Sequence, residues 1–269
     1  RLVIDMEIKL YVAQEKERIK QYVATLLTKP KMVILQVNDD PASDAYIRGK
    51  LKDCAEVGVD AELIKLPIDT SEKDLIQLVN ALNADASVHG LIVQMPLPKH
   101  INEEHIKVAV SPRKDIDGFH PLSNMKACTP KGIIDYLSDE GVDFVGKNAV
   151  VIGRSNIVGK PLAQLLLSKH CNVTILHSRT SEADMNFYLA HADIVCVAIG
   201  KKWFIDEQPL KEDAVLIDVG INRVDGVLYG DIKPNRKVKI QTPVPGGIGL
   251  LTRLSLIKNL LEAYQNQEI

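Results

Sequence analysis

The chain has 269 residues, 46% hydrophobic and 25% charged, with a formal net charge of -2. That length suits one large or two modest domains, and the near-neutral balance offers no basic field to hold nucleic acid. No apolar run approaches the roughly twenty residues that cross a bilayer, so neither nucleic acid nor membrane is expected as a partner, and a small molecule is.

The stretch RLVIDMEIKLYVAQEKERIK moves into an amphipathic pattern that predicts a helix over Tyr11–Leu27. It lacks a signal peptide's basic start, apolar core and small-residue cleavage site. Cys54, Cys128, Cys171 and Cys196 are scattered with no Cys-x-x-Cys pair, which suggests neither a zinc site nor a disulfide framework. The expectation is a cytoplasmic protein with buried thiols and no metal.

A strand follows at Lys31–Val37, a helix near Ser43–Val57 and a strand at Ala61–Lys65, then a helix at Glu72–Asn83 and a buried strand at Gly90–Gln94. Alternation of this kind means a parallel sheet flanked by helices. Proline and glycine crowd Met95–Pro98 and Asp117–Pro130, ahead of a helix at Pro130–Leu137. The fold class is therefore α/β with two α/β domains. The first spans 1–128 and is completed by the C-terminal helix within 253–269, expected at Ser255–Gln265. The second spans 129–252, with strands at Val150, Val173, Ile194 and Val215 in a Rossmann-like, doubly wound parallel sheet.

In AVVIGRSNIVGKP an apolar run meets Gly153, then Gly159, Lys160 and Pro161, reading as strand, turn and helix start. Helix amides above such a turn suit an anion. The glycine spacing departs from Gly-x-Gly-x-x-Gly, so a purely structural turn is the alternative. The next strand, Asn172–Leu176, ends in His177-Ser178-Arg179 with no carboxylate at its tip. In this fold an acidic residue there holds the ribose of NAD, whereas Arg154, Ser178 and Arg179 suit the extra phosphate of NADP. Surface arginines are the bland alternative.

Tyr46 and Lys50 stand four apart on a helix and share a face, as a solvated lysine beside a half-buried tyrosine also would. Ser43 reads equally as a helix cap behind Pro41. Gln94 is a polar side chain at the carboxyl end of a parallel strand, where a crevice or plain solvent is available. Asp115 and Asp117 lie in a loop ending at Gly118, where aspartate is also a turn former. Thr242–Gly249 packs two prolines and three glycines into a shaped loop or a domain connection.

Taken in order, these segments carry more than any one of them. Pro41-Ala-Ser-x-x-Tyr46-x-x-x-Lys50, Gly90–Pro98, Lys114–Pro121, Cys128–Gly132, Gly153–Pro161, Ile217–Arg223 and Thr242–Gly249 together resemble the bifunctional methylenetetrahydrofolate dehydrogenase/methenyltetrahydrofolate cyclohydrolase family along nearly the whole chain. The resemblance implies a cleft between two α/β domains where methylenetetrahydrofolate passes a hydride to NADP. Water then opens the methenyl bridge to give formyltetrahydrofolate, in one-carbon metabolism feeding purine synthesis. It implies Lys50 as the central catalytic group, Tyr46 stacked near the pterin, Gln94 holding Lys50 and Asp117 gripping the pterin's donors. Ser43, Pro245, Gly246 and Gly247 join Tyr46, Gln94 and Asp117 in holding the folate, and Gly153, Arg154, Ser155, Ser178, Arg179 and Ile221 contact the nucleotide. A homodimer formed through the nucleotide domain is also implied.

Three departures stand out. Only LSNMKA separates Pro121 from Cys128, where the family has a longer loop; Leu250-Leu251 replaces Pro-Met; and Asn38-Asp39-Asp40 replaces small residues before Pro41.

Overall fold

The computed structural model describes residues 4–5, 7–234, 238 and 240–267. Positions 1–3, 6, 235–237, 239 and 268–269 of the expected domains lie outside the described residues. In chain order the elements are β1 (Ile4–Asp5), α1 (Ile8–Val23), β2 (Lys31–Gln36), α2 (Pro41–Val57), β3 (Asp60–Lys65) and α3 (Glu72–Ala84). Next come β4 (Gly90–Val93), α4 (Glu103–Ala109), α5 (Cys128–Asp139), β5 (Asn148–Ile152), α6 (Gly159–Ser168) and β6 (Asn172–Leu176). The rest are α7 (Glu182–His191), β7 (Ile194–Val197), β8 (Val215–Asp218), β9 (Asn222–Val224), β10 (Val227–Tyr229), β11 (Ile240–Gln241) and α8 (Ile248–Gln267).

These elements fall into two compact units. One takes the described residues up to Val12 with Thr129–Thr252; the other takes Ala13–Cys128 with the described residues from Arg253 onward. The division thus falls inside α1 and inside α8. The first residues group with the later unit because β1 pairs in parallel with β11.

In the unit of Ala13–Cys128, three parallel strands run in the order β3-β2-β4. Central β2 and β4 are buried along nearly their whole length, and Val33, Leu35, Leu91 and Val93 pack on Leu75 of α3 and Ile106 of α4. Local chemistry sets the helix ends. Asp40 caps α2 by accepting from Ser43 N, Pro41 fills the first helical position, and Gly58 at φ +82° closes the helix with its N–H on Ala55 O. Ser71 caps α3 through Asp74 N.

In the other unit six parallel strands run β1-β11-β8-β7-β5-β6. The interior strands β7 and β8 and most of β5 are buried, whereas edge strand β6 exposes Asn172 and Ile175 and buries only Leu176 fully. Because β6 and β7 flank β5 on opposite sides, the winding reverses at the carboxyl end of β5. A two-residue turn, Asp225-Gly226, both at positive φ, joins β9 to β10 in an antiparallel hairpin.

Several boundaries differ from those read in the sequence. Helix α1 starts and ends earlier than Tyr11–Leu27, and α6 begins at Gly159 rather than Pro161, closing at Ser168 before His170 at φ +67°. Helix α8 begins seven residues before Ser255, directly behind Gly247. There Leu250 N donates to Gly247 O at 3.0 Å, a bond that a proline at 250 would forgo.

Candidate functional site

Two groups of side chains and turns stand out, one in each unit. The first is anchored on α2. One turn of helix brings Lys50 Nζ within 5.3 Å of the Tyr46 ring centroid. Lys50 is only 6% exposed and donates to Gln94 Oε1 at 3.1 Å. Gln94 is itself oriented: its N–H bonds Leu35 O at 2.8 Å, extending the β2 ladder past β4, and its side-chain nitrogen donates to Met95 O at 2.8 Å. With the amide nitrogen committed, the carbonyl oxygen is what Lys50 meets. Lys50, Tyr46 and Gln94 therefore form one connected group.

Asp117 completes it electrostatically. Burial raises its pKa, the Lys50 charge opposes that rise and Asp115 adds to it. The two loop aspartates have different work. Asp115 spends its carboxylate on Gly118 N at 3.1 Å and His120 N at 2.8 Å, folding the turn in which Gly118 sits at φ +73°. A Cβ on Gly118 would lie 2.6 Å from the Lys126 carbonyl carbon, so the short loop Pro121–Cys128 closes tightly on it. Buried Lys114 anchors the loop from the other side through Leu82 O at 2.9 Å and Asp85 O at 2.6 Å. Burial lowers the Lys114 pKa.

Ser43 lies one turn before Tyr46 but is buried, its hydroxyl 3.0 Å from Asp40 Oδ2 and 3.5 Å from Met95 O. Asp40, not Ser43, is the helix cap. The polar run before Pro41 ties the start of α2 to the turn after β4, since Asn38 Nδ2 donates to Pro96 O at 2.7 Å. That turn contains a cis Met95–Pro96 bond.

The second group gathers at the carboxyl ends of β5, β6 and β7. A hollow of about 300 Å³ is lined there by Gly153, Arg154, His177, Ser178, Ile199 and Lys201, among others. Gly153 sits at φ +119°, and a Cβ on it would stand 2.5 Å from Ala198 O. A Cβ on Gly159 would in turn overlap Gly153 O, so the widely spaced glycines let β5, the turn and α6 close on one another. Ser155 Oγ accepts from Val158 N at 3.1 Å and Gly159 N at 3.2 Å, capping the start of α6. The lining takes in Gly153, Arg154 and Ser178 but not Ser155, Arg179 or Ile221. Ser155 and Arg179 are exposed, and Ile221, 58% exposed, follows β8.

Pro245, Gly246 and Gly247 belong to this same unit, in a loop with a cis Val244–Pro245 bond and Gly246 at φ +94°. A Cβ on Gly247 would overlap Pro243 O. Sequence reasoning did not single out His177 or Lys201 as lining; their signal is position alone, at strand ends on either side of the β5 turn. All four cysteines are buried and unbridged, and burial pushes Cys54 and Cys196 up to about 12.

A family model described as the tetrahydrofolate dehydrogenase/cyclohydrolase catalytic domain matches residues 6–117, and one described as that family's NAD(P)-binding domain matches residues 127–268. Bifunctional protein FolD of Exiguobacterium sibiricum is 44% identical over 261 residues, covering 91% of this chain and 94% of that protein. The bifunctional FolD crystal structure from Campylobacter jejuni superposes with a TM-score of 0.93 at 35% identity, covering 97% of this chain and 98% of that one. A Trypanosoma brucei FolD structure, complexed with NADP and inhibitor, superposes with a TM-score of 0.92 at 29% identity over 98% of this chain and 97% of that one.

Proposed function

The chain belongs to the tetrahydrofolate dehydrogenase/cyclohydrolase family, and on that premise we propose how its residues share the two reactions. It is a bifunctional enzyme of one-carbon metabolism, an NADP-dependent methylenetetrahydrofolate dehydrogenase and a methenyltetrahydrofolate cyclohydrolase.

The Lys50–Gln94 hydrogen bond carries the assignment of the hydrolytic step. Held at a fixed buried point, the Lys50 amino group can take the proton that water sheds as its oxygen bonds to the methenyl carbon, and hand it to the ring nitrogen as that carbon–nitrogen bond breaks to leave the formyl group. Gln94 keeps Lys50 from swinging into solvent, and the Tyr46 ring offers a face for the pterin beside the ammonium. Asp117 accepts the pterin's amino and ring N–H donors through its two oxygens. Those donors favour the ionised carboxyl and so work against the burial that raises its pKa.

The hollow after β5 fits a nucleotide. It lies where the winding reverses, its turn has no room for a Cβ at Gly153, and Arg154 and Lys201 bring positive charge to a lining that holds no carboxylate. Arg154 and Ser178 would hold the ribose phosphate, with Arg179 adding charge at the tip of β6. When bound, NADP supplies the hydride acceptor for the oxidation. Pro245, Gly246 and Gly247 would line the folate, and Ile221 the nucleotide.

A homodimer built through the nucleotide unit agrees with the exposed apolar side chains of Val145, Leu167 and Phe187 on that unit. A cytoplasmic location agrees with four unbridged thiols. The decisive test supplies methenyltetrahydrofolate without nucleotide and follows loss of its absorbance. Hydrolysis above the spontaneous rate is expected, and none would sink the cyclohydrolase assignment. A lower KM for NAD than for NADP would overturn the role of Arg154 and Ser178.

A further inference from the structure

We propose that Asp231 is a positioning residue of the nucleotide site, fastening the Ile199–Lys201 backbone that forms one wall of the hollow. The inference rests on reading that hollow as the nucleotide site. Asp231 is 0% exposed, and its carboxylate accepts four hydrogen bonds. Ile199 N at 2.8 Å and Gly200 N at 3.0 Å donate to Oδ2, while Lys201 N at 2.7 Å and Asn222 Nδ2 at 2.9 Å donate to Oδ1. Three successive backbone amides converging on one point make a nest, a concavity that takes an anion. Here the chain fills the nest with its own carboxylate.

Two consequences follow for the ligand. The amides after β7 are spent, so a phosphate has no seat there, and anion binding is left to Arg154 and Ser178 at the tips of β5 and β6. The path of Ile199–Lys201 is also fixed, which sets where the Ile199 and Lys201 side chains line the hollow.

Asp231 is itself held from behind. Asp218, at the end of β8, accepts from Asp231 N at 2.8 Å and Ile232 N at 2.9 Å, and its own N–H donates to Thr242 Oγ1 at 2.8 Å. The fit leaves no spare volume: a Cβ on Gly220 would overlap the Asp231 carboxyl, and one on Gly230 would overlap Asp218. Within Ile217–Arg223, then, Asp218 and Asn222 act on the hollow through Asp231.

Trp203 is the sole tryptophan of the chain, two residues beyond Lys201, and its backbone N–H donates to Gly230 O at 3.0 Å. Its fluorescence on titration with NADPH reads nucleotide binding without turnover. Asp231→Asn keeps the shape but sets an amide nitrogen against backbone N–H groups. Its Kd for NADPH is expected to rise about tenfold or more, with KM for NADP rising in parallel, as when a hydrogen-bonded charge is lost. The kcat at saturating NADP and the nucleotide-free hydrolysis of methenyltetrahydrofolate should stay near those of the parent. Asn222→Ala removes one donor of four and should raise Kd by a smaller factor of about two to five; it decides the matter if Asp231→Asn does not fold. Parent-like NADPH affinity in these variants would overturn the proposal, as would hydrolysis falling in step with affinity. If the parent itself fails to bind NADPH, the nucleotide reading falls and takes this inference with it.

Discussion

The two units build their sites from different material. Around Lys50 the working atoms belong to side chains: an ammonium, an amide, a phenol ring and a carboxyl, each set by a helix, a strand end or a braced loop. Around Gly153 the shape comes from backbone, with glycines whose missing Cβ atoms let three segments meet and a buried carboxylate that gathers amides, while Arg154 and Ser178 extend into solvent. The contrast matches the tasks. Moving a water's proton needs a group held out of solvent at a fixed point. Holding a long anionic ligand needs a shaped wall and exposed cations.

If that contrast is right, Lys50→Ala should be the most damaging change, lowering cyclohydrolase kcat by about 10³-fold while leaving NADPH affinity within twofold of the parent. A collapse of nucleotide binding in that variant would break the division of labour. Gly153→Ala should do the reverse. With φ at +119° and Ala198 O in the way, strain of about 1–3 kcal/mol should cut NADPH affinity roughly 10- to 100-fold, with nucleotide-free hydrolysis retained.

A smaller effect concerns stability of the nucleotide unit. Burial, joined by the charge of Asp231, raises Asp218 to about 6, against hydrogen bonds from Ile232, Asp231 and Gly220 that lower it. A carboxyl raised on folding takes its proton more readily in the folded chain, so this group destabilises the fold above about pH 6 and ceases to as pH falls towards its unfolded value. Unfolding free energy from this source should rise by about 1 kcal/mol between pH 7 and pH 5. Denaturant titrations of the parent and Asp218→Asn should differ in that pH slope; equal slopes would remove Asp218 as its origin. Least in size, the folate KM should climb a few-fold as pH falls towards the raised pKa of Asp117, because the neutral carboxyl accepts the pterin's donors less well. Asp117→Asn should show a high KM that no longer varies with pH.

Legibility in the sequence follows the same contrast. The β–α alternation, Tyr46 and Lys50 at one helical turn, Gln94 at a strand end and the Gly153 turn were all open to periodicity and spacing. Short elements were not: β1 and β11 have two residues each, too few to show a period. The hairpin β9–β10 carries a readable Asp-Gly signal, but its strands have three residues each, too few to show a period, and only Asn222 and Arg223 fell inside the segment read as Ile217–Arg223. The start of α8 hid behind glycines that suggested loop. The partition of Asp115 and Asp117 into brace and open carboxyl rests on which of two nearby carboxylates turns back onto its own loop, and the gathering of amides by Asp231 depends on contacts between residues 32 positions apart. Composition and spacing carry no trace of such contacts.

The division inside α8 bears on the order in which the protein is made. Buried Asp53 has Lys16 at 2.6 Å from within the early chain, but its other partner is Arg253 at 2.5 Å. The carbonyls of Ile116 and Lys126 likewise wait for Asn259. The unit that carries Lys50 is therefore interrupted by Thr129–Thr252, and its buried aspartate stays partly unmatched until those residues have been translated.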